Sequence, residues 1–436
     1  MSAAALQQRV TAAKRAARPH VTGRVRSVIG MSVTVEGVEA AIGEAVVLSR
    51  PGGDLVAEVV AIDDDALVCM PLGELTGVRA GAAVELAPGR LCIPLGEQLR
   101  GRVIDALGRP IDGGPSLTGL ESSTTSGTPP HPLRRAMVQA QLPLGIRAVD
   151  ALLPCGRGQR MGIFAGSGVG KSSLMSMVAR GTGADISVLA LVGERGREVR
   201  EMIEHDLGPA GLARSVVVVA TSDEPALMRL QAAQTATRIA EWFRDRGDHV
   251  VLMMDSLTRF CMAQREVGLA AGEPPATRGY PPSVFSLLPR LLERAGAGER
   301  GSITGLYTVL VEGDDMNDPV ADSARSILDG HIVLSRKLAT SGHFPSIDVL
   351  ESVSRVAPRV MTPGQLSQAT ELRSLMGAYR EAKDLIEIGA YSKGTNPLVD
   401  RAVQLKPAID MFLRQDVATV APLSESLAAL EMLVSP

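Results

Sequence analysis

Short segments of alternating apolar and polar residues, separated by glycines, fill the chain from about residue 20 to residue 95. Alternation with a period of two places every second side chain on the same face of a strand. The segments are "VTGRVRSVIG", "SVTVEGV", "EAVVLS", "LVAEVVAI" and "ALVCMPLG". Five or more such strands within about 75 residues predict a small closed β-barrel for residues 20–95.

The pattern then changes twice. Residues 96–143 include "GRVIDALGRPIDGG" and "GTPPHPLRR", whose prolines exclude a helix interior or a central strand, so this stretch is predicted to be a connector. From 144 to 350, nearly continuous apolar runs alternate with helical stretches, as a parallel sheet buried on both faces requires. The predicted strands are "RMGIFAG", "ISVLALVG", "SVVVVATS", "HVVLMMDS", "ITGLYTVLV" and "GHIVLS". We therefore predict an α/β nucleotide-binding core.

The two ends of the chain have helical patterns. Residues 351–436 show few strand signals and predict a helical domain. Residues 1–19 carry apolar residues at helical spacing among arginines and a lysine. This arm fits a solvated helix, a basic arm for a partner protein or an acidic lipid surface, or a transit peptide, and the pattern alone leaves these open.

Composition narrows the class of protein. The net charge is −3 and aromatic residues make up 3%, which disfavours a nucleic-acid surface. The four cysteines are scattered and form no CxxC pair, so neither a disulfide framework nor a zinc site is indicated. The chain has neither a signal-peptide pattern nor an apolar run of about 18 residues. We expect a cytoplasmic protein that is at most peripheral to a membrane.

The loop "AGSGVGKSS" lies between an apolar strand and a helix, which is the context of a phosphate-binding P-loop. Its glycines allow consecutive backbone N–H groups to converge on a polyphosphate at the helix N-terminus. Lys171 can reach the β- and γ-phosphates of ATP, and Ser172 can ligate Mg²⁺. Ala165 replaces the usual first glycine, which we expect to matter little if it adopts ordinary dihedral angles. The predicted nucleotide-binding loop comprises Ala165, Gly166, Ser167, Gly168, Val169, Gly170, Lys171, Ser172 and Ser173.

Hydrolysis needs further groups at the carboxyl ends of neighbouring strands. Asp255 ends the strand "HVVLMMD" and is predicted to hold the Mg²⁺ shell, the alternative being a helix N-cap. Glu194 ends "LALVGE" and is a candidate to orient the attacking water, with Arg195 or Arg197 facing phosphate. On composition alone, these last residues also fit a surface salt-bridge cluster.

Five segments together resemble the hexameric ATPases of type III protein export, which are related to the catalytic subunits of rotary ATP synthases. They are "AGSGVGKSS", "VGERGREVRE", "MDSLTRFCMAQREVGLAAGEPPATRGYPPSVFSLLPRLLERAG", "GSITGLYTVLVEGDDMNDPVADSARSILDGHIVLSRKLA" and "HFPSIDVLESVSR". The resemblance is dense from 144 to 355 and extends more weakly over nearly the whole chain. It implies a RecA-like core between the barrel and the helical domain. The flagellar export ATPase is the more similar branch, and the virulence injectisome ATPase is close behind.

The resemblance also implies roles for single residues. Glu194 activates water, Arg195 lies near the γ-phosphate, and Phe344 stacks on adenine, although an ordinary core role for Phe344 stays open. Tyr391 is a weaker candidate for the other side of the base. Arg355 matches the arginine finger that relatives supply to the neighbouring subunit's site. Because one chain carries both halves, a homohexameric ring with shared sites is implied.

The implied partners are further copies of the chain, export-gate proteins, a stator-like regulator at the arm, and chaperones and cargo at the helical domain. The implied cofactors are ATP and Mg²⁺, and the position is the cytoplasmic face of the inner membrane. A rotary synthase subunit, an RNA-translocating hexamer and a scaffold without turnover are weighed as alternatives. For Asp314 and Asp315, a γ-phosphate sensor, a loop-positioning role and a structural turn remain equal choices.

Overall fold

A computed structural model describes residues 22–87, 89–311, 313 and 315–435. The predicted arm, residues 1–19, lies outside the described residues. The described chain forms two compact units, one of residues 22–91 with 267–273 and the other of residues 92–266 and 274–435.

The first unit contains the predicted barrel. Six antiparallel strands close in the order β1-β2-β5-β4-β3-β6, and their buried side chains alternate with more exposed ones. Val33, Val35 and Val59 are fully buried in its core. The sixth strand is "AVEL", which the alternation pattern missed because only one of its four residues is buried. The strands are β1 (Thr22–Ile29), β2 (Ser32–Glu36), β3 (Ala45–Leu48), β4 (Leu55–Asp63), β5 (Ala66–Pro71) and β6 (Ala83–Leu86).

A largely parallel sheet forms the centre of the second unit, in the order β17-β16-β10-β15-β13-β11-β12-β8, with β14 paired to β15. All six strands predicted for this core are present. Three further strands lay outside the prediction: β8, within the predicted connector, the short β14, and β17, which runs antiparallel to β16 at the sheet edge. The strands are β8 (Val103–Asp105), β10 (Arg160–Ala165), β11 (Ile186–Glu194), β12 (Ser215–Thr221), β13 (His249–Asp255), β14 (Gly296–Ala297), β15 (Ser302–Leu310), β16 (Gly330–Leu334) and β17 (Ile347–Ser354). A separate ribbon pairs β7 (Cys92–Leu95) with β9 (Glu121–Thr124).

Helices cover this sheet and form the carboxy-terminal part. The longest helix against the sheet is α5, which packs on β11, β12 and β13. After β17, the described chain is helical, as predicted. The helices are α1 (Arg147–Leu152), α2 (Lys171–Gly181), α3 (Gly196–Glu201), α4 (Gly208–Ala213), α5 (Ala226–Arg246), α6 (Leu257–Ala270), α7 (Pro282–Leu292), α8 (Pro319–Ile327), α9 (Arg336–Thr340), α10 (Ala357–Val360), α11 (Pro363–Glu387), α12 (Pro397–Leu413) and α13 (Leu423–Val434). Among the described helices, none has the length and apolar character needed to cross a bilayer.

Candidate active site

The phosphate loop connects the end of β10 to the first residue of α2. Gly168 and Gly170 have φ angles of 74° and 97°, which favour glycine, so the loop needs glycine at these two positions. Ala165 is the last residue of β10, where it is buried and pairs with both neighbouring strands. Its φ is not positive, so alanine fits without strain in the position of the missing glycine.

The tips of three strands bring Lys171, Glu194 and Asp255 together. The Lys171 Nζ lies 3.3 Å from Glu194 Oε1 and 2.5 Å from Asp255 Oδ1. These side chains follow β10, β11 and β13, which are parallel strands of one sheet, so their carboxyl ends meet at the same edge. A cation between two carboxylates is therefore placed beside the loop.

Asp255 is a buried carboxylate whose partners are side chains rather than a helix terminus. It is 3% exposed and accepts a hydrogen bond of 2.6 Å from the Thr308 hydroxyl. The first turn of α6 is capped by its neighbour, because the Ser256 hydroxyl accepts from the Arg259 N–H. The alternative of Asp255 as the N-cap therefore has no support in the contacts.

Burial and charge shift the acid–base behaviour of this cluster. Burial raises the pKa of Glu194 to about 7, and the Asp255 carboxylate adds to the rise while Lys171 opposes it. Burial lowers the pKa of Lys171, but the two carboxylates outweigh that effect and raise it overall. Lys171 thus stays charged, and Glu194 changes protonation near neutral pH.

Two arginines close to the carboxyl ends of these strands, Arg195 and Arg259, have different surroundings. Arg195 is 74% exposed in its side chain and pairs with Glu198 at 3.7 Å. Arg259, which sequence reasoning passed over, packs against Gly193 just before Glu194. Its Nε is buried and lacks a hydrogen-bond partner among the described residues. The available signal was its place in the sequence, since Arg259 lies in the first turn of the helix that follows Asp255 at the end of β13.

The loop between α9 and β17 places Phe344 against the phosphate loop. A Cβ built on Gly170 would lie 3.6 Å from the Phe344 ring, and the Ser346 hydroxyl donates to the Val169 carbonyl at 2.5 Å. Phe344 is 41% exposed, so part of its surface is accessible. Phe344 also lines a surface pocket of about 650 Å³ with residues from the end of α12 and the loop after it.

Tyr391 lies in the loop between α11 and α12, and its hydroxyl is used there. It donates to Asp400 Oδ1 and contacts the Asn396 carbonyl oxygen, both at 3.0 Å. Tyr391 is not among the residues that line the pocket beside Phe344. The contacts therefore give Tyr391 a role in shaping its own loop.

Arg355 lies at the opposite end of the sheet from the phosphate loop of its own chain. Ser354 pairs with Gly330 at the start of β16, whereas Ala165 pairs with Leu334 at the end of that strand. Four residues of strand separate the two levels, about 13 Å. Arg355 is exposed, and its guanidinium donates to the Arg325 carbonyl. It is therefore directed away from its own Lys171.

Of the acidic pair, Asp315 is described and Asp314 is not. Asp315 accepts hydrogen bonds from the Asn317 N–H at 3.0 Å and from Arg278 at 3.1 Å. Both contacts lower the pKa of Asp315, and the hydrogen bond from the Asn317 N–H has the larger effect. They give Asp315 the geometry of a turn tied to Arg278.

The fold and loop define a nucleotide-binding protein, and comparison with known sequences identifies its class. The profile of the ATP synthase alpha/beta family, nucleotide-binding domain, matches residues 145–354. The profile of that family's beta-barrel domain matches residues 25–86, and the type III secretion EscN ATPase C-terminal domain matches residues 361–432.

Individual relatives narrow the class. The chain is 52% identical to the flagellum-specific ATP synthase of Bacillus subtilis, over 94% of each chain. It is 49% identical to the type 3 secretion system ATPase of Sinorhizobium fredii, over 97% of this chain and 94% of the relative. The chain therefore belongs to the family of flagellar and type III secretion ATPases, and it is an ATPase.

Solved structures agree with this family. The structure of the assembled ATPase EscN from the enteropathogenic E. coli type III secretion system has a TM-score of 0.90 at 44% identity and covers 95% of this chain. EscN in complex with its central stalk EscO has a TM-score of 0.88 at the same identity and coverage. The likeness covers 100% of both solved chains, which supports the three-part fold.

Proposed function

We propose that this chain is the Mg²⁺-dependent ATPase of a flagellar export apparatus and that it acts as a ring of six copies with shared active sites. The observation that carries the proposal is the division of the site within one chain. One half comprises Lys171, Glu194 and Asp255, which meet at the carboxyl ends of the parallel strands. The exposed Arg355 lies at the opposite end of the sheet. A head-to-tail ring places these two halves together.

On the phosphate side, the loop and α2 bind the triphosphate. The loop N–H groups and the helix N-terminus favour its negative charge, and Lys171 reaches the outer phosphates. A polyphosphate competes with Glu194 and Asp255 for the Lys171 ammonium, because all three are anionic. Binding therefore releases Glu194 from Lys171.

The oxygen donors present suit Mg²⁺. Ser172 is exposed on the first turn of α2, and Asp255 offers a buried carboxylate. The described residues hold no cluster of three or more His, Cys, Asp or Glu side chains fit to bind a metal alone. Mg²⁺ characteristically uses one or two protein oxygens with phosphate and water oxygens, so this donor set fits. When bound, it would neutralise charge that develops on the phosphates.

Glu194 is the proposed group that orients and polarises the attacking water. A carboxyl with a pKa of about 7 is matched to proton transfer at neutral pH. Arg195 stays a candidate for the γ-phosphate, although in this chain it is exposed and pairs with Glu198.

Phe344 is the proposed platform for the adenine base, because its accessible ring lies beside Gly170. Stacking on an aromatic face contributes about 1–3 kcal/mol per base in nucleic-acid complexes. For Tyr391, whose hydroxyl is bonded to Asp400, we propose a role in shaping its own loop.

We infer the partners of this chain from solved relatives and from the proposed ring. EscN was solved as an assembled ATPase and with its central stalk EscO. We extend self-association and a regulator to this chain, and propose that export-gate proteins, cargo and chaperones also bind, at the cytoplasmic face of the inner membrane. The flagellar relative of Bacillus subtilis is 52% identical to this chain and the type 3 secretion relative of Sinorhizobium fredii 49%, and we propose the flagellar branch.

Mixing two inactive variants tests the shared site. Lys171→Ala removes the phosphate half and Arg355→Ala removes the finger, so each variant alone should lose at least about 10³-fold in ATPase rate. Mixed chains form some interfaces with an intact Lys171 on one side and an intact Arg355 on the other. We expect ATPase activity to return to a measurable fraction of wild type.

Two controls make the mixing result decisive. The double variant Lys171→Ala/Arg355→Ala mixed with Lys171→Ala lacks any interface with both halves intact and should stay inactive. Analytical ultracentrifugation establishes that the chains co-assemble. Co-assembly without recovered activity contradicts the finger in trans.

A further inference from the structure

Gln415 is a buried amide in the loop that follows α12, and all of its hydrogen-bonding groups are used. It is 8% exposed. Its Oε1 accepts from the Arg147 N–H at 2.9 Å. Its Nε2 donates to the carbonyls of Gly145 at 2.8 Å and Thr419 at 3.0 Å. The side chain therefore joins the carboxy-terminal loop to the first residues of the core.

The backbone of the same residue reaches the loop that carries Phe344. The Gln415 N–H donates to the Phe344 carbonyl at 3.0 Å. The preceding Arg414 approaches His343, with its Nε 3.5 Å from Nδ1. The position of the Gln415 backbone therefore helps to orient the loop that carries Phe344.

The other partners of Gln415 are themselves held in place. The Asp150 carboxylate accepts from the N–H groups of Leu144 and Gly145 at 2.8 and 2.9 Å. The Arg147 guanidinium donates to the Phe412 carbonyl at the end of α12 at 3.2 Å. Buried groups with this many bonds are costly to leave unpaired, so the amide has one stable position.

We propose that Gln415 is a positioning residue that holds the Phe344 ring in place to receive the base, so that the carboxy-terminal helices control nucleotide affinity through it. This inference rests on the proposed stacking role of Phe344. It predicts an effect on the base-dependent part of binding and none on the phosphate-dependent part, because Gln415 makes no contact with the phosphate loop among its hydrogen bonds in the described chain.

Two variants of the full chain test this. Gln415→Ala removes all side-chain bonds. Gln415→Glu keeps the shape and the acceptor for Arg147, but it sets a carboxylate against the carbonyls of Gly145 and Thr419. We expect each to raise KM for ATP about tenfold and to leave kcat within about twofold. The inhibition constant of inorganic tripolyphosphate, which has no base, should be unchanged. If neither variant folds, Gln415→Asn, which keeps an amide on a shorter chain, is measured instead.

Arg373→Ala is the matched control. Arg373 on α11 also donates from a carboxy-terminal helix to a core carbonyl, that of Ser352 at 3.0 Å, away from Phe344. It should lower the melting temperature without changing KM. If the Gln415 variants behave like this control, with lower stability and normal KM, the residue is a structural lock and the proposal is overturned.

The double variant Phe344→Leu/Gln415→Ala separates this inference from the proposed function. If Gln415 acts through Phe344, the double variant should have the KM of Phe344→Leu alone. Multiplicative effects would overturn the positioning role while leaving stacking intact. A normal KM for Phe344→Leu would instead refute the stacking role, and with it the route proposed for Gln415. Loss of tripolyphosphate binding in Gln415→Ala would also contradict the inference.

Discussion

At the scale of single residues, the site depends on charges placed where strands end. The Lys171 ammonium lies between the carboxylates of Glu194 and Asp255. The Asp255 carboxylate also accepts a hydrogen bond from the Thr308 hydroxyl. Because burial and the like charge of Asp255 both disfavour ionisation, Glu194 is poised near neutrality. The environment that makes Glu194 costly to bury thus gives it the pKa that its proposed role in proton transfer requires.

Glu194 should give the ATPase a pH dependence. Its pKa of about 7 lies above the ordinary carboxyl value, so the active carboxylate accumulates as the pH rises. We expect kcat/KM to rise through about pH 7 and then level off. Glu194→Gln should keep ATP binding within about threefold, lose hydrolysis by about 10²-fold or more, and lose the step in the pH profile. Loss of binding in this variant would give Glu194 a structural role instead.

At the scale of elements, edge position explains what pattern analysis found and missed. The buried parallel strands β10–β13 have nearly continuous apolar runs, which were predicted. The edge strand β17 pairs only with β16, and the alternation of its buried and more exposed residues shifts once in the middle, which weakens the strand pattern in its sequence. It ends directly before Arg355 and thereby sets where that side chain lies.

The start of α11 carries a local signal that predicts a measurable stability effect. Thr362 and Gln365 form a capping box, in which the threonine hydroxyl accepts from the Gln365 N–H and the glutamine side chain accepts from the Thr362 N–H. Thr362→Ala should cost about 1 kcal/mol of unfolding free energy. Thermal unfolding checks this, with Thr370→Ala in the exposed middle of α11 as the control. Equal stability of the two variants would contradict the cap.

At the scale of the whole molecule, the proposed active site is divided between two surfaces of the chain. The levels of Arg355 and of the phosphate loop are about 13 Å of strand apart, so the proposed finger requires that neighbouring copies meet. A ring uses the same two surfaces on every copy, so a single type of chain would be enough to complete every proposed site.

The specific ATPase rate should therefore rise steeply with protein concentration. Arg355→Ala should assemble over the same range, followed by light scattering, without the rise in rate. A specific activity that stays constant down to concentrations at which the wild type is monomeric would show that one chain is sufficient, and it would refute the shared site.

Much of the fold could be predicted from the sequence alone, because it depends on interactions between residues that are close together in the chain. The barrel, the parallel core and the phosphate loop follow from periodicity and from glycines at positive φ, and Ala165 fits because a strand terminus needs no special dihedral angle. The raised pKa of Glu194, the buried Nε of Arg259 and the bonds of Gln415 depend on residues that are distant in the chain, which only packing brings together. Tertiary structure also decided how far Arg355 lies from its own phosphate loop, because strand order and direction set that separation.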